Sequence, residues 1–517
     1  MSTSHSGASH KEKNAIAESS QKTEQLDVVI IGAGFGGLCM AIKLKEAGIN
    51  NFLIVEKAED VGGTWYFNTY PGCACDVQSH LYSYSFAGKS DWSQRYASWS
   101  EIQKYIIDIV ERYELRQYIQ FNEEVNEARF NESTALWTVS TKNGLKLQAH
   151  HVVVASGPLH VPNIPNLKGI ENFKGTIFHS AQWDHNYQLI GKRVASIGTG
   201  GSAIQYLPEI APLVQHLDVY QRTPAWVIPR DKRKYSSLDK ALFAHFPRIR
   251  KLHRVQLYWT NESRLWPILE PTLAKVSGKL VKLFIRAQVQ DKSLIKKLTP
   301  DYLLGCKRIL ISNKYYPTFN RKNVELITES IQEIREYSIV TSDGVERSID
   351  GIILGTGFIV DPRIYMKHFI CTGINGRNLL DDWKESAEAY YGLAVSGYPN
   401  MWQLVGPNTG LGHNSIIFMI EAQVKYIIQC MKIIKQKGAD YMSVKLKIQN
   451  QFNQRMQKQI RNTVWNSGCT SWYQQDDGKN FVIWPWSTWR FWLETRKVRI
   501  QDYYFGYATG KRKVTTD

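Results

Sequence analysis

The sequence of 517 residues predicts an α/β protein with two dinucleotide-binding (Rossmann-like) domains and a helical insertion. Three observations lead there. An apolar, β-branched run from Leu26 to Ile31 ends directly in G-A-G-F-G-G, Gly32 to Gly37, and a helix-like stretch and a second strand, Phe52 to Val55, follow. The same order recurs with Arg193 to Ile197, then G-T-G-G-S-A from Gly198 to Ala203, a helix, and Leu217 to Tyr220. Between Arg230 and about Pro300, glycine is scarce and Lys, Arg, Leu and Phe recur at helical spacing.

A single G-x-G-x-x-G is weak evidence, but each copy here follows a strand and opens a helix, the context that gives it meaning. Glycines let the backbone approach a pyrophosphate, and a helix N-terminus supplies amide donors and partial positive charge. The residue closing the second strand then separates the two units. Glu56 stands 24 positions after Gly32, and its carboxylate suits the ribose hydroxyls of an unphosphorylated adenosine. Arg222 stands the same 24 positions after Gly198, and its guanidinium suits a 2′-phosphate, with Thr223 adding a hydroxyl. The first unit (Gly32, Gly34, Gly37, Glu56) therefore reads as an FAD site. The second (Gly198, Thr199, Gly200, Gly201, Ser202, Ala203, Arg222, Thr223) reads as an NADPH site. Ala203 replaces the third glycine there, a change that either nicotinamide cofactor tolerates.

Composition narrows the class. The chain is 43% hydrophobic and 12% aromatic, enough for a large core, and most of its sixteen Trp are expected in packing roles. Net charge is +17, but no single basic run dominates, so most of it reads as solvated surface; no nucleic-acid partner is expected. Seven Cys, an odd number with no C-x-x-C, argue against a disulfide framework and a zinc site, and no metal is expected. The N-terminus lacks the apolar core of a signal peptide, and no run of 18 apolar residues could form a transmembrane segment. A cytoplasmic protein is expected, with room for a peripheral membrane contact. Residues 1–23 are expected to be a disordered tail and the last ten residues to be loose. Further helices are expected over Lys425 to Lys435 and Val444 to Arg461.

Two further segments carry a family resemblance. Gly62 to Asp76 reads G-G-T-W-Y-F-N-T-Y-P-G-C-A-C-D, and Phe173 to Asp184 reads F-K-G-T-I-F-H-S-A-Q-W-D. They resemble the two fingerprints of Baeyer–Villiger monooxygenases, [A/G]-G-x-W-x(4)-[F/Y]-P-[G/M]-x(3)-D and F-x-G-x(3)-H-x(3)-W-[P/D], at every defined position. The related flavin-containing monooxygenases usually lack the closing Trp-[P/D], so Trp183-Asp184 favours the ketone oxidisers. The resemblance implies that NADPH reduces FAD, that dioxygen adds to give a 4a-peroxyflavin, and that this attacks a ketone to yield an ester or lactone. It implies Arg308, in G-C-K-R, as the cation at the reaction centre and Asp76 as its partner. Lys307 should reach the 2′-phosphate from the side opposite Arg222. Gly63, Thr64, Trp65, Tyr82 and the backbone near Val125 should lie along the flavin, and Gly406 to His413 should close over its ring. Trp472 should line the substrate pocket. His179 and Trp183 fit a structural link better than a proton shuttle. One departure stands out: many relatives carry Arg two residues before the fingerprint Asp, and here that residue is Ala74.

The domain boundaries expected are 24–160 and 361–517 for FAD, 161–228 and 301–360 for NADPH, and 229–300 for the insertion. Rival readings are a flavin-containing monooxygenase acting on nitrogen or sulfur, an uncoupled NADPH oxidase, and a scaffold without turnover. A pyridine-nucleotide disulfide reductase would need a redox Cys pair, and Cys73 and Cys75, with one residue between them, make a poor one.

Overall fold

In the computed structural model, residues 25–509 are described, except 470 and 476. The expected tail 1–23 and residues 510–517 lie outside them. Of the last ten residues, Ala508 is not loose: it is buried, and its N–H donates to Asp440 Oδ2 at 2.9 Å.

The strand Gln25–Ile31 lies near the middle of an eight-stranded sheet. It runs parallel to Phe52–Val55 on one side and Lys146–Val154 on the other. Its Val28, Val29 and Ile30 have no exposed surface, which is why the run is apolar rather than alternating. The strands Val125–Asn131 and Leu136–Thr141 extend the sheet antiparallel. Two short strands from far along the chain join it, Ile370–Thr372 beside Val125–Asn131 and Met401–Gln403 beside Lys146–Val154. Helix α1 (Phe35–Glu46) follows the first glycine turn and packs against the long helix Ile416–Gln436. Short α2 (Thr64–Phe67) and α3 (Trp99–Arg112) complete this part of the chain.

A second sheet is wholly parallel. Its order is Val324–Ile327, His216–Tyr220, Arg193–Ile197, Gly351–Leu354 and Thr176–His179. Helix α4 (Ala203–Ile210) follows its glycine turn. The two nucleotide units thus share one local plan.

The segment 229–300 contains α5 (Ser237–His245), α6 (Pro247–Ser263), α7 (Trp266–Leu269), α8 (Pro271–Gln288) and α9 (Lys292–Leu298). Proline begins α6 and α8, where its missing N–H costs nothing, and a Ser236–Asp239 capping box starts α5. The helix expected over 444–461 begins only at Leu446, because Val444 ends a strand paired with Tyr503–Gly506. The helix expected over 425–435 is longer, Ile416–Gln436, since its early part is apolar on nearly every side and buried. Among the described residues, no helix is long and apolar enough to cross a membrane.

Candidate active site

The two glycine turns show why no other residue serves. A Cβ on Gly32 would lie 2.8 Å from the Ala155 carbonyl oxygen, and one on Gly37 would lie 1.9 Å from that of Gly32. Gly32 also holds φ at +105°, a region side chains rarely allow. Gly34 faces Gly63 with backbone alone, and no side chain caps α1, so its first amides point into a space cleared of side chains. In the second turn Gly198, φ +106°, would meet the Gly355 carbonyl at 2.4 Å. Gly200 and Gly201 stand clear, and Ser202 precedes α4 without capping it. Ala203, buried at the first position of α4, fits where a third glycine would otherwise stand.

Glu56 is buried and is no surface charge. Its Oε2 accepts from Ala33 N–H at 2.6 Å and its Oε1 from Ala58 N–H at 2.9 Å. The backbone N–H of Glu123 donates to the Glu56 carbonyl at 2.9 Å. The chain leading into Val125 therefore passes beside this acceptor. Thr64 and the buried Trp65 open α2; Trp65 Nε1 donates to Tyr82 Oη at 3.3 Å, and Tyr82 stands edge-on to Phe35 at the start of α1.

Arg222 is exposed, and beside it Thr199 Oγ1 donates to the Thr223 carbonyl at 3.4 Å. Lys307 comes to the same place from 85 residues away. Its Nζ lies 4.9 Å from the Tyr302 ring centroid, and Tyr302 Oη donates to the Pro224 carbonyl at 2.8 Å. Burial and then the charge of Arg222 pull the Lys307 pKa below its ordinary value. Among the described residues neither cation has a salt-bridge partner.

Arg308 and Asp76 form an ion pair. The Arg308 Nη2 donates to Asp76 Oδ2 at 2.5 Å and its Nε to the same oxygen at 3.1 Å. The Asp76 carboxylate, against a smaller opposing effect of burial, raises the Arg308 pKa, so the guanidinium stays charged. Its side chain is nonetheless 37% exposed, leaving the other donors of the fork free to act. The short strand Leu310–Ile311, parallel to Val227–Ile228, positions it. That pairing also brings in Arg230, unforeseen from the sequence, which donates to the Tyr96 carbonyl at 3.2 Å and whose backbone is clasped by Asn313. Tyr473 is the other unforeseen neighbour: it is buried, and desolvation raises its phenol to about 12 although Arg308 works the other way. Trp472 is 41% exposed, with its ring centroid 4.4 Å from that of Tyr473.

The fingerprint segments meet on Tyr206 of α4. Tyr70 lies edge-on to it at 6.1 Å, and Trp183 packs on it at 5.5 Å. His179 is buried, its Nδ1 accepting from Ala181 N–H at 3.1 Å, and burial lowers its pKa, which suits a neutral structural ring. In the loop Gly406 to His413, Asn408 Nδ2 donates to the carbonyls of Asn480 and Ile483. His413 at its end faces Glu262 of α6, Nε2 to Oε1 3.3 Å, and Glu262 also accepts from Asn414 and Thr488. The insertion is thereby tied to this loop, a link that no motif announces.

Cys73 and Cys75 are free and buried; burial raises Cys73 to about 12 and Cys75 also well upward. No disulfide joins them. Cys306 and Cys469 correct the expectation for the cysteines: they form a disulfide, 163 residues apart, beside Arg308 and the loop bearing Trp472. Such a separation leaves no spacing pattern to read. At the edge of the second sheet, His216, Asp218 and Glu325 cluster, but Arg347 Nη2 lies 2.8 Å from Glu325 Oε1 and supplies the cation.

Residues 29–261 match the family model described as pyridine nucleotide-disulphide oxidoreductase. The chain is 43% identical over 497 residues to a Baeyer–Villiger monooxygenase of Pseudomonas aeruginosa, covering 95% of this chain and 94% of the relative. The chain belongs to the Baeyer–Villiger monooxygenases. A second such monooxygenase, from Streptomyces coelicolor, is 40% identical over 94% of each chain. Among solved structures, this monooxygenase resembles closed cyclohexanone monooxygenase with a TM-score of 0.85 and 27% identity, covering 94% of this chain and all of that one. Steroid monooxygenase bound to NADP gives 0.84 and 28%, with the same coverages.

Proposed function

We propose that this chain is an FAD- and NADPH-dependent Baeyer–Villiger monooxygenase that uses dioxygen to convert ketones into esters or lactones. The observation that carries this reading is the Arg308–Asp76 pair. It joins the end of the first fingerprint to the segment that also bears Lys307. The relatives in their solved structures hold FAD and NADP, or NADP. The side-chain-free floors at Gly32, Gly34 and Gly198 fit those two dinucleotides.

FAD belongs at Gly32, Gly34, Gly37 and Glu56, with Gly63, Thr64, Trp65 and Tyr82 farther along it and the chain before Val125 at the adenosine end. NADPH belongs on Gly198 to Ala203, with Arg222, Thr223 and Lys307 around the 2′-phosphate. FAD, reduced by NADPH, supplies the oxygen-transfer chemistry with dioxygen. Arg308 offers a fixed cation to the negative charge that develops on the ketone oxygen under attack. Asp76 holds the fork in place and keeps it charged. Tyr473 covers the pair on one side and helps exclude water, and Trp472 borders the substrate. Trp183 braces its fingerprint segment against Tyr206, and His179 stands edge-on to Phe358.

The division into FAD domain (24–160, 361–517), NADPH domain (161–228, 301–360) and insertion (229–300) is supported by the make-up of the two sheets. The first draws its late strands from 370–372 and 401–403, the second from 324–327 and 351–354. The test is to mix the enzyme with NADPH anaerobically, then admit oxygen with linear, cyclic, aromatic and steroid ketones or with thioethers. Ester or lactone formation is expected. Sulfoxide formation without any ester would overturn the reading.

A further inference from the structure

The insertion carries one helix whose outer surface the reaction does not explain. Helix α8 runs for 18 residues, about 27 Å. Its inner stripe, Ala274, Gly278, Val281 and Ile285, is buried, and a Cβ on Gly278 would lie 3.6 Å from the Trp226 ring. A second apolar stripe faces solvent: Leu273, Val276, Leu280 and Leu283 are 45%, 55%, 65% and 58% exposed. The spacing of three and four puts these on one face. Beside them runs a third stripe, Lys275, Lys279, Lys282 and Arg286, all exposed. None of these four makes a salt bridge among the described residues, and α8 contains no acidic residue.

The surroundings repeat the theme. Between 237 and 298 stand thirteen Lys or Arg against four Asp or Glu. Helix α6 exposes Ile249, Leu252, Val255 and Trp259. Next to Trp259, Tyr258 Oη lies 2.9 Å from Thr488 Oγ1, at the start of a helix that exposes Trp489 and Trp492.

We propose that the outer face of α8 docks this enzyme onto an anionic phospholipid surface, its leucines and valine entering the headgroup boundary and its lysines and arginine meeting lipid phosphates. Exposed leucine cannot be satisfied by water, and four unpaired cations cannot be satisfied by an apolar partner. A membrane of anionic lipid satisfies both, and amphipathic helices lie in such interfaces for this reason. A second copy of the chain fits less well, because two α8 helices face to face would oppose cation to cation with no carboxylate between them. A nucleic acid would pair with the lysines and leave the leucines in water. This inference goes beyond the oxygenation reaction and is independent of it, since α8 contributes no residue to the site.

The experiment uses the FAD-loaded full chain and flotation with two kinds of vesicle, phosphatidylcholine alone and an equimolar mixture with phosphatidylglycerol. Binding to the mixed vesicles, weakening as salt is added, is expected. The triple variant Lys275→Glu, Lys279→Glu, Lys282→Glu should bind them about a hundredfold less, since each basic residue near an anionic surface contributes about fivefold. Leu280→Ser with Leu283→Ser should bind about tenfold less. Both variants should keep bound flavin and turnover of a water-soluble ketone, which shows that they fold. Four results would each overturn the proposal: no vesicle binding; equal binding to both vesicles; undiminished binding by the leucine variant; or self-association that the leucine variant abolishes. Binding to a duplex oligonucleotide that matches vesicle binding and ignores the leucines would overturn it as well.

Discussion

Gln205 grips Ala74 from both sides: its Nε2 donates to the Ala74 carbonyl at 3.0 Å, and its Oε1 accepts from the Ala74 N–H at 3.2 Å. The same Oε1 accepts from Tyr70 Oη at 3.0 Å. An amide from α4 of the second unit thus completes the backbone of the first fingerprint, two residues before Asp76. Gln205→Ala should leave both polar groups of Ala74 without protein partners, a loss of about 1–3 kcal/mol. The thermal midpoint should fall by several degrees, and more NADPH should be consumed per ester formed. Unchanged coupling would reduce Gln205 to a surface contact.

Arg308→Ala should allow NADPH to bleach the flavin at near-normal rate and yet lower ester formation by about a hundredfold or more, the size expected for losing a fixed electrostatic donor. Stopped-flow reduction and product chromatography separate the two steps. Asp76→Ala should slow turnover severely; near-normal turnover would leave it a structural role.

Arg222→Glu should raise the KM for NADPH by at least about tenfold, because a charge-assisted pair becomes a repulsion. The KM for NADH should hardly change. An equal loss with both nucleotides would show that the 2′-phosphate is bound elsewhere.

Lys307 adds a pH dependence with a definite sign. Its ammonium is present below its pKa, and burial and Arg222 hold that pKa below the usual 10.5. As pH rises through it, the phosphate loses a partner. The KM for NADPH should therefore climb at a lower pH than an ordinary lysine would give. Lys307→Arg should move the rise to higher pH, and NADH kinetics should lack it. A profile identical in wild type and Lys307→Arg would exclude this role.

The disulfide makes a chemical prediction. Protein denatured without reductant should show five reactive thiols, Cys39, Cys73, Cys75, Cys371 and Cys430, and seven after reduction. Reduction of the folded enzyme, or Cys469→Ser, should release one tether on the loop carrying Trp472 and Tyr473 and quicken its proteolysis. Seven thiols without reductant would contradict the cross-link.

Much of the fold was legible because local chemistry specifies it. The runs at 26–31, 52–55, 193–197 and 217–220 are strands within a residue or so of where their apolar, β-branched pattern put them. Each glycine turn sits where a Cβ would strike backbone. The pairing of Asp76 with Arg308, expected from resemblance, is seen directly. Tyr473 and not its neighbour Trp472 turns inward, and which of two adjacent aromatics does so depends on a loop held by distant contacts. Arg230, Gln205 and the Glu262–His413 contact carry no motif at all.

By itself the sequence determined the two glycine turns, the acidic residue that follows one and the basic residue that follows the other, and the helical character of 229–300. Those features depend on spacings of a few residues to a few dozen, which backbone geometry converts directly into structure. Only the tertiary structure decided that Gln205 closes on Ala74, that Cys306 meets Cys469, and that α8 turns leucines and lysines outward together. These depend on how separated segments pack, and whether an apolar side chain is covered is a property of its neighbours in space.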